Sequence, residues 1–426
     1  MIAIPLWWKT ESGLSACNFF YYYISMLRFF KFWSRTDRYM QKSISLFYFF
    51  ICIGIFTGCV TSKSYQTSTT SAEIRVSSLK FLDLYEIPYE LHFQNTWVGG
   101  LSGIDYDRIN NRFFTISDER SATSAARFYT MAIDIKDYKI DSVRFLAVAT
   151  LKDAANDTFP ALRKNPEKAA DPESIRYNAA TGTLVWSSEG DKAVRSGKMV
   201  YQNPWIYEMD LSGNFKDSFL IPANLRMYKE DKGARENGVF EGLSFSSSYK
   251  YLWASMESPI YEDGPLATAQ YANAPVRFTK FDVATKKPVA QFAYLLDAVA
   301  YPPTPENAFS VNGISEILCI GENKFLVMER SYSTGIEGCV VKIYLADFSK
   351  ATDITAVSGL HQHATYQPAS KKLLFNLASL NRYIDNVEGI TLGPIFPNGH
   401  YSLILIVDNN FSRDEIQQVL LFEVIP

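Results

Sequence analysis

One tetrapeptide comes back five times in this chain at a nearly constant interval, and that restricts its fold more than any other feature. The copies are "SGID" (Ser102–Asp105), "ESIR" (Glu173–Arg176), "EGLS" (Glu241–Ser244), "NGIS" (Asn312–Ser315) and "EGIT" (Glu388–Thr391), with steps of 71, 68, 71 and 76 residues. Each is followed by a second β-prone run: "RFFTISDE", "TLVWSSEGD", "YLWASMES", "KFLVMERS" and "SLILIVDNN". Third runs ("ARFYTMAID", "PWIYEMD", "VRFTKFD", "VVKIYLAD", "QVLLFEV") and outer runs ("SVRFLAVATL", "FKDSFLIP", "KPVAQFAYLL") complete the unit. Short apolar strands, four to a unit and regularly repeated, are the pattern of a β-propeller.

Five units fill residues 97–426, and the last lacks its own fourth strand. The unassigned run "SLKFLDLYEIP" (Ser78–Pro88) supplies one, so the expectation is an all-β, five-bladed propeller closed by its N-terminal strand. Six blades are the alternative if an insertion hides a degenerate repeat.

Acids recur with the motifs. Counted from each motif's first position, an acid follows at 16, 16, 16, 17 and 20 residues: Asp118, Glu189, Glu257, Glu329 and Asp408. The start of one strand and the end of its antiparallel neighbour lie at the same end of a hairpin. Ring closure would therefore gather these acids with Glu173, Glu241 and Glu388 on one face. So many carboxylates repel one another unless a hard cation such as Ca²⁺ intervenes. Arg120 and Arg330 directly follow or nearly follow such acids, Arg127 and Arg277 open third strands, and Arg235 precedes "FEGLS". Arginine beside carboxylate-held metal suits a small anionic or phosphorylated ligand. A bland alternative is that the acids cap strand ends, while Gly103, Gly242, Gly313 and Gly389 allow close packing.

The formal net charge of −3 offers no electrostatic case for nucleic-acid binding. Four histidines and no G-x-S-x-G elbow argue against a serine triad; His361 and His363 fall in an expected loop. Trp97, Trp205 and Tyr261 could instead form a stacking platform for a glycan or another partner. Cys319 and Cys339 lie in one hairpin region and are more simply read as unpaired.

The N-terminal part reads as addressing. Met40–Cys59, "MQKSISLFYFFICIGIFTGC", has a basic start, an apolar run and small residues before a cysteine, which resembles a bacterial lipoprotein signal lipidated at Cys59. Its apolar run is short for a membrane span. Residues 1–39 fit no export pattern, and the expectation is that translation begins at Met40. Residues 60–76 are rich in Ser and Thr and read as a flexible tether. The folded domain is expected over 77–426, as a monomer anchored by lipid in the cell envelope, on the outer membrane where there are two.

Taken together, "GGLSGIDYD", "DPESIRY", "FEGLSFS" and "NVEGITLG", with "ISDE", "SSEGD" and "VDNN", resemble the phytase-like family, whose members are described by an esterase-like activity of phytase. The resemblance spans roughly residues 80–426. It implies an exported propeller whose acidic face holds Ca²⁺ that bridges phosphate and activates water. By position it assigns Glu173, Glu241 and Glu388 to the catalytic set, with Asp118, Glu189, Glu257, Glu329 and Asp408 beside them. Asn312 stands where a further acid is expected.

Overall fold

The computed structural model describes residues 73–426, apart from residues 196 and 362–364. The expected signal, Cys59 and most of the tether lie outside the described residues, as does His363.

Among the described residues, five antiparallel four-stranded sheets make up the ring, each running from an inner to an outer strand, and two two-stranded hairpins are added to it. Blade 1 is Leu101–Asp107, Arg112–Ser117, Arg127–Lys136 and Lys139–Thr150; blade 2 is Pro172–Asn178, Thr183–Ser188, Trp205–Met209 and Phe215–Ser218. Blade 3 is Phe240–Phe245, Tyr251–Met256, Ala274–Asp282 and Lys287–Leu296; blade 4 is Ser310–Gly321, Lys324–Ser333, Val340–Asp347 and Ser370–Asn376. Blade 5 takes Asn386–Ile395, Tyr401–Asp408 and Gln418–Ile425 from the C-terminal region, and Ser78–Glu86 from the start of the fold. That last strand pairs antiparallel with the C-terminal one, from Ser78 opposite Ile425 to Glu86 opposite Gln418. The ring is thus closed by hydrogen bonds between the two ends of the domain, as the leftover run implies. Packing begins slightly before Ser77, because the Ile74 amide donates to the Ile320 carbonyl at 2.8 Å.

Burial follows the layers. All seven residues of the inner strand Pro172–Asn178 are buried, whereas the outer strand Lys139–Thr150 is largely exposed or half-buried. Inner strands face neighbouring blades on both sides, so they read as continuous apolar runs. Apolar side chains interleave between blades: Leu326, Met328, Val387 and Leu403 join blades 4 and 5, and Ile104, Phe113, Ile404 and Leu421 join blades 5 and 1. Cys319 and Cys339 are both free.

The recurring glycines have a steric cause. A Cβ on Gly103 would stand 2.7 Å from the Ile175 amide nitrogen of blade 2, and one on Gly389 2.9 Å from the Ser102 carbonyl of blade 1. Inner strands approach too closely there for any side chain. Blade 2 has Ser174 at the equivalent place, and blade 4 has Glu316, not Gly313. Equivalence is set by Arg176, which sits on the axis with 1 % exposure. Its guanidinium donates to the carbonyls of Ile104 (2.8 Å), Ile390 (2.9 Å) and Ile317 (2.9 Å), and through Nε to that of Leu243. Each acceptor directly follows the close-approach residue of its own blade. In blade 4 the working motif is therefore Ser315-Glu316-Ile317, three residues later than the "NGIS" reading.

Arg176 also pairs with Glu316 at 2.8 Å, and Glu316 in turn accepts from Ser174 Oγ (2.6 Å) and the Leu243 amide (2.8 Å). Together they close the channel midway. On one side lies a cavity of about 470 Å³ bordered by Asp105, Tyr177, Tyr249 and Tyr401; on the other lies the acidic face. Removing one partner of a buried ion pair costs about 3–5 kcal/mol. Arg176→Met should accordingly lower unfolding free energy by about that amount in urea titrations, and Glu316→Gln added to it should recover part of the loss.

Candidate metal and anion site

In every blade the inner pair carries a β-bulge at the same place: between Leu101 and Ile104, Pro172 and Ile175, Phe240 and Gly242, Ile314 and Glu316, and Val387 and Gly389. A bulge inserts an unpaired residue and re-aims its side chain. The residues so placed are Ser102, Glu173, Glu241, Ser315 and Glu388. Just beyond, the second strands supply Asp118, Glu189, Glu257 and Asp408 at their ends and Arg330 at the equivalent level of the longer strand in blade 4. Two stacked rows of five positions form the mouth of the closed channel, and seven of those ten are carboxylates.

The carboxylates converge in three groups, each with ligand oxygens within 4.8 Å of one another: Asp118, Glu388 and Asp408; Asp171, Glu173 and Glu189; and Glu189, Glu241 and Glu257. Glu189 links the second and third groups. Asp171 was not singled out by periodicity, although it stands two residues before Glu173 in "DPESIRY". All eight are buried except half-buried Asp118.

Two guanidiniums enter this cup. Arg330 donates to Glu257 at 3.2 Å, and to both Glu388 and Asn386. Arg120 bridges Asp171 (3.2 Å) and Asp191 (3.3 Å), the latter at the base of an added hairpin, Asp191–Arg195 with Lys198–Gln202. Asn386 Nδ2 donates to Glu388 (2.9 Å) and Asp408 (3.2 Å), the Val239 amide to Glu189 (2.8 Å), and Ser102 Oγ to Glu173 (3.2 Å). These contacts do not use up the acceptors. Glu241 Oε2 and Glu388 Oε2 are buried with no hydrogen-bond partner among the described residues.

Asp118, Glu173 and Glu241 are held well above the usual carboxylate range, first by loss of solvent and then by neighbouring carboxylates. Glu189 and Asp408 are pushed up to about 8 and Asp171 to about 6, again chiefly by burial. Orphaned carboxylate oxygens, an all-oxygen donor set and unrelieved repulsion are what a hard divalent cation resolves, so the residues fit Ca²⁺.

Other expected site residues lie elsewhere. Glu329 pairs with Ile314 while Arg330 pairs with Gly313, and adjacent residues of a strand face opposite ways. Glu329 therefore points out of the mouth, accepting from Tyr294 Oη (2.7 Å), Asn312 Nδ2 (2.8 Å) and Lys371 Nζ (2.6 Å). Asn312 belongs to that network too. Arg127 is consumed by Glu119, Tyr129 and the Trp97 carbonyl, and Arg277 by Asp263 at 2.6 and 2.8 Å together with Gln291. Arg235 donates to the carbonyls of Pro259 and Gly264 and lies 4.1 Å over the Tyr261 ring. The three aromatics make no common platform. Trp97 packs on Tyr89 and Phe411, Trp205 stacks on Phe159, and Tyr261 lies between Lys192 and Arg235. His361 is exposed.

A carboxylate whose pKa is higher in the folded than in the unfolded chain favours folding below its unfolded pKa, and that contribution is lost as pH rises through the folded value. In chelator, the melting temperature should therefore fall steadily between about pH 5 and about pH 9, the window set by the raised values of Asp171, Glu189 and Asp408. A flat profile would contradict this.

A family model, Phytase-like, described as esterase-like activity of phytase, matches residues 96–411. A search of curated proteins returned no match. Among solved structures, the chain is similar to a periplasmic gluconolactonase of Pseudomonas aeruginosa, with 9% identity, covering 78% of this chain and 90% of that one at a TM-score of 0.33. It is also similar to an endo-arabinase from Bacteroides thetaiotaomicron, with 11% identity over 80% of this chain and 98% of that one at a TM-score of 0.41. Nothing about chemistry passes from these neighbours to this chain.

Proposed function

Because the chain belongs to the Phytase-like family, we propose that it is a Ca²⁺-dependent phosphoester hydrolase working at the acidic mouth. The observation that supports this most is the convergence of eight carboxylates, two with orphaned oxygens, around Arg330 and Arg120. Asp118, Glu388 and Asp408 would hold one ion; Asp171, Glu173, Glu189, Glu241 and Glu257 would hold the remainder. What Ca²⁺ supplies when bound is neutralisation of the carboxylates and Lewis-acid polarisation of the phosphoryl group.

The chain's own groups divide the remaining work. Arg330 and Arg120 place fixed positive charge where the phosphoryl oxygens gain negative charge, which is worth most where water is excluded. Glu241, whose Oε2 is buried without a hydrogen-bond partner among the described residues, is suited to take the proton of the attacking water once the positive charge gathered in the cup keeps its carboxylate ionised. Glu173 and Glu388 occupy the same bulged position in blades 2 and 5. Arg176 and Glu316 seal the cup below, so solvent and substrate enter from one side.

We further propose that the protein works outside the cytoplasm as a monomer anchored through a lipid on Cys59, on the strength of the lipoprotein-like signal Met40–Cys59. Replacing Cys59 by Ser should abolish incorporation of labelled palmitate into the protein.

Phosphate release from small phosphomonoesters should require Ca²⁺ and stop in chelator. Glu241→Gln should lower kcat at least a hundredfold while leaving the melting temperature in chelator unchanged or higher, in keeping with a general base contributing roughly 10²–10⁴-fold. Glu329→Gln, outside the mouth, should lower stability and leave turnover per folded molecule intact. Absence of chelator-sensitive turnover on any phosphoester tested would overturn the hydrolase reading.

A further inference from the structure

Blade 4 departs from its four companions above the mouth. Its inner strands, Ser310–Gly321 and Lys324–Ser333, are 12 and 10 residues long, against 6 or 7 in blades 1 to 3. Pairing continues past the mouth plane at Gly313–Arg330 through Asn312–Ser331 and Val311–Tyr332 to Ser310–Ser333. A short wall therefore stands over the cup beside Arg330.

Strand alternation fixes what this wall presents. Tyr332 lies two residues beyond Arg330 and on the same face, about 7 Å higher. Phe309 precedes the first strand and meets Tyr332 with ring centroids 6.0 Å apart. Both rings are open to solvent, Phe309 at 65 % and Tyr332 at 37 % exposure. Side by side, the two open rings give the mouth one apolar, π-rich edge next to its charged cup.

They are also held in place. On the wall's other face Ser331 Oγ accepts from the Ala300 amide at 2.9 Å, and Ser333 Oγ donates to the Tyr301 carbonyl at 2.6 Å. At the tip, Thr334 donates to the Phe309 carbonyl through both its amide and its hydroxyl, each at 2.9 Å, and the Thr304 amide donates to the Thr334 carbonyl at 2.8 Å. The backbone that carries both rings is thus fixed at the edge of the mouth.

We propose that Phe309 and Tyr332 form a stacking shelf for a flat aromatic group carried by the substrate, while its anionic head lies in the cup beside Arg330. The inference rests on the hydrolase reading for the head group and narrows the substrate class to phosphomonoesters of alcohols bearing an aromatic ring. Arg330 fixes the anion and the shelf fixes the ring, with about 7 Å of strand between them. A compact polyphosphorylated polyol would leave the shelf uncovered.

The test uses the full chain with Ca²⁺ and two probes sharing one head group, 2-phenylethylphosphonate and ethylphosphonate, in titration calorimetry. 2-Phenylethylphosphonate should bind about tenfold more tightly, the scale of one aromatic stacking contact. The double variant Phe309→Ser with Tyr332→Ser, both at exposed positions, should erase that difference and leave ethylphosphonate affinity and the melting temperature unchanged. Equal affinities in the parent protein, a difference that survives in the variant, or binding of neither probe would each overturn the shelf. Turnover of 2-phenylethyl phosphate against ethyl phosphate separates the two readings. Ca²⁺-dependent hydrolysis of both with equal KM removes the shelf and keeps the hydrolase. Ring-dependent binding without turnover keeps the shelf and removes the hydrolase.

Discussion

Everything about this propeller's acidic cup depends on one guanidinium at its axis. Arg176 comes from blade 2 and reaches backbone carbonyls of the other four blades, with Glu316 balancing its charge. The planar fork matters: its N–H groups radiate in one plane, which is how the innermost carbonyls of a five-fold ring are arranged. Lysine could neutralise Glu316 but could not address acceptors on every side. The result is a floor made of satisfied polar groups rather than an open bore, and the carboxylates above it are cut off from bulk water below.

That floor explains why the acids are so perturbed. Eight carboxylates in a shallow open funnel would be solvated and screened; in a blind cup of buried side chains, Asp118, Glu173, Glu189 and Glu241 are pushed toward the protonated form, first by lost solvent and then by neighbouring acids. Folding therefore assembles a site that is unfavourable by itself, and the surrounding interleaved aliphatic layers must outweigh it. Local conflict of this kind, set inside an otherwise consistent fold, is the usual mark of a working site. The bulges carry the same message, since all five blades bend at the position that aims a side chain into the cup.

Much of this was legible in the amino-acid sequence. Apolar runs, the seventy-residue period and the spare N-terminal strand lead to five blades, because sheet strands announce themselves by period and by turn residues. Positions set by a single residue of register were harder. Glu329 and Arg330 are neighbours, and only pairing shows which of them faces inward. "NGIS" imitates the other motifs in letters, yet the chain uses "SEIL" three residues on, where glutamate replaces glycine and no composition rule would look for it. Arg127 and Arg277 have the right residue type at the start of third strands, but each meets a buried acid of its own, Glu119 and Asp263. Asp171 could have been found: it adjoins Glu173 in the same short stretch, but it breaks the spacing used to collect the others.

The junction between Ser78–Glu86 and Gln418–Ile425 brings together strands that are the first and nearly the last parts of the domain to be made. Until the final residues leave the ribosome, blade 5 keeps a bare edge of unpaired amides and carbonyls, and blades 1 and 4 lack the partner that covers them. A chain built this way stays open throughout its synthesis.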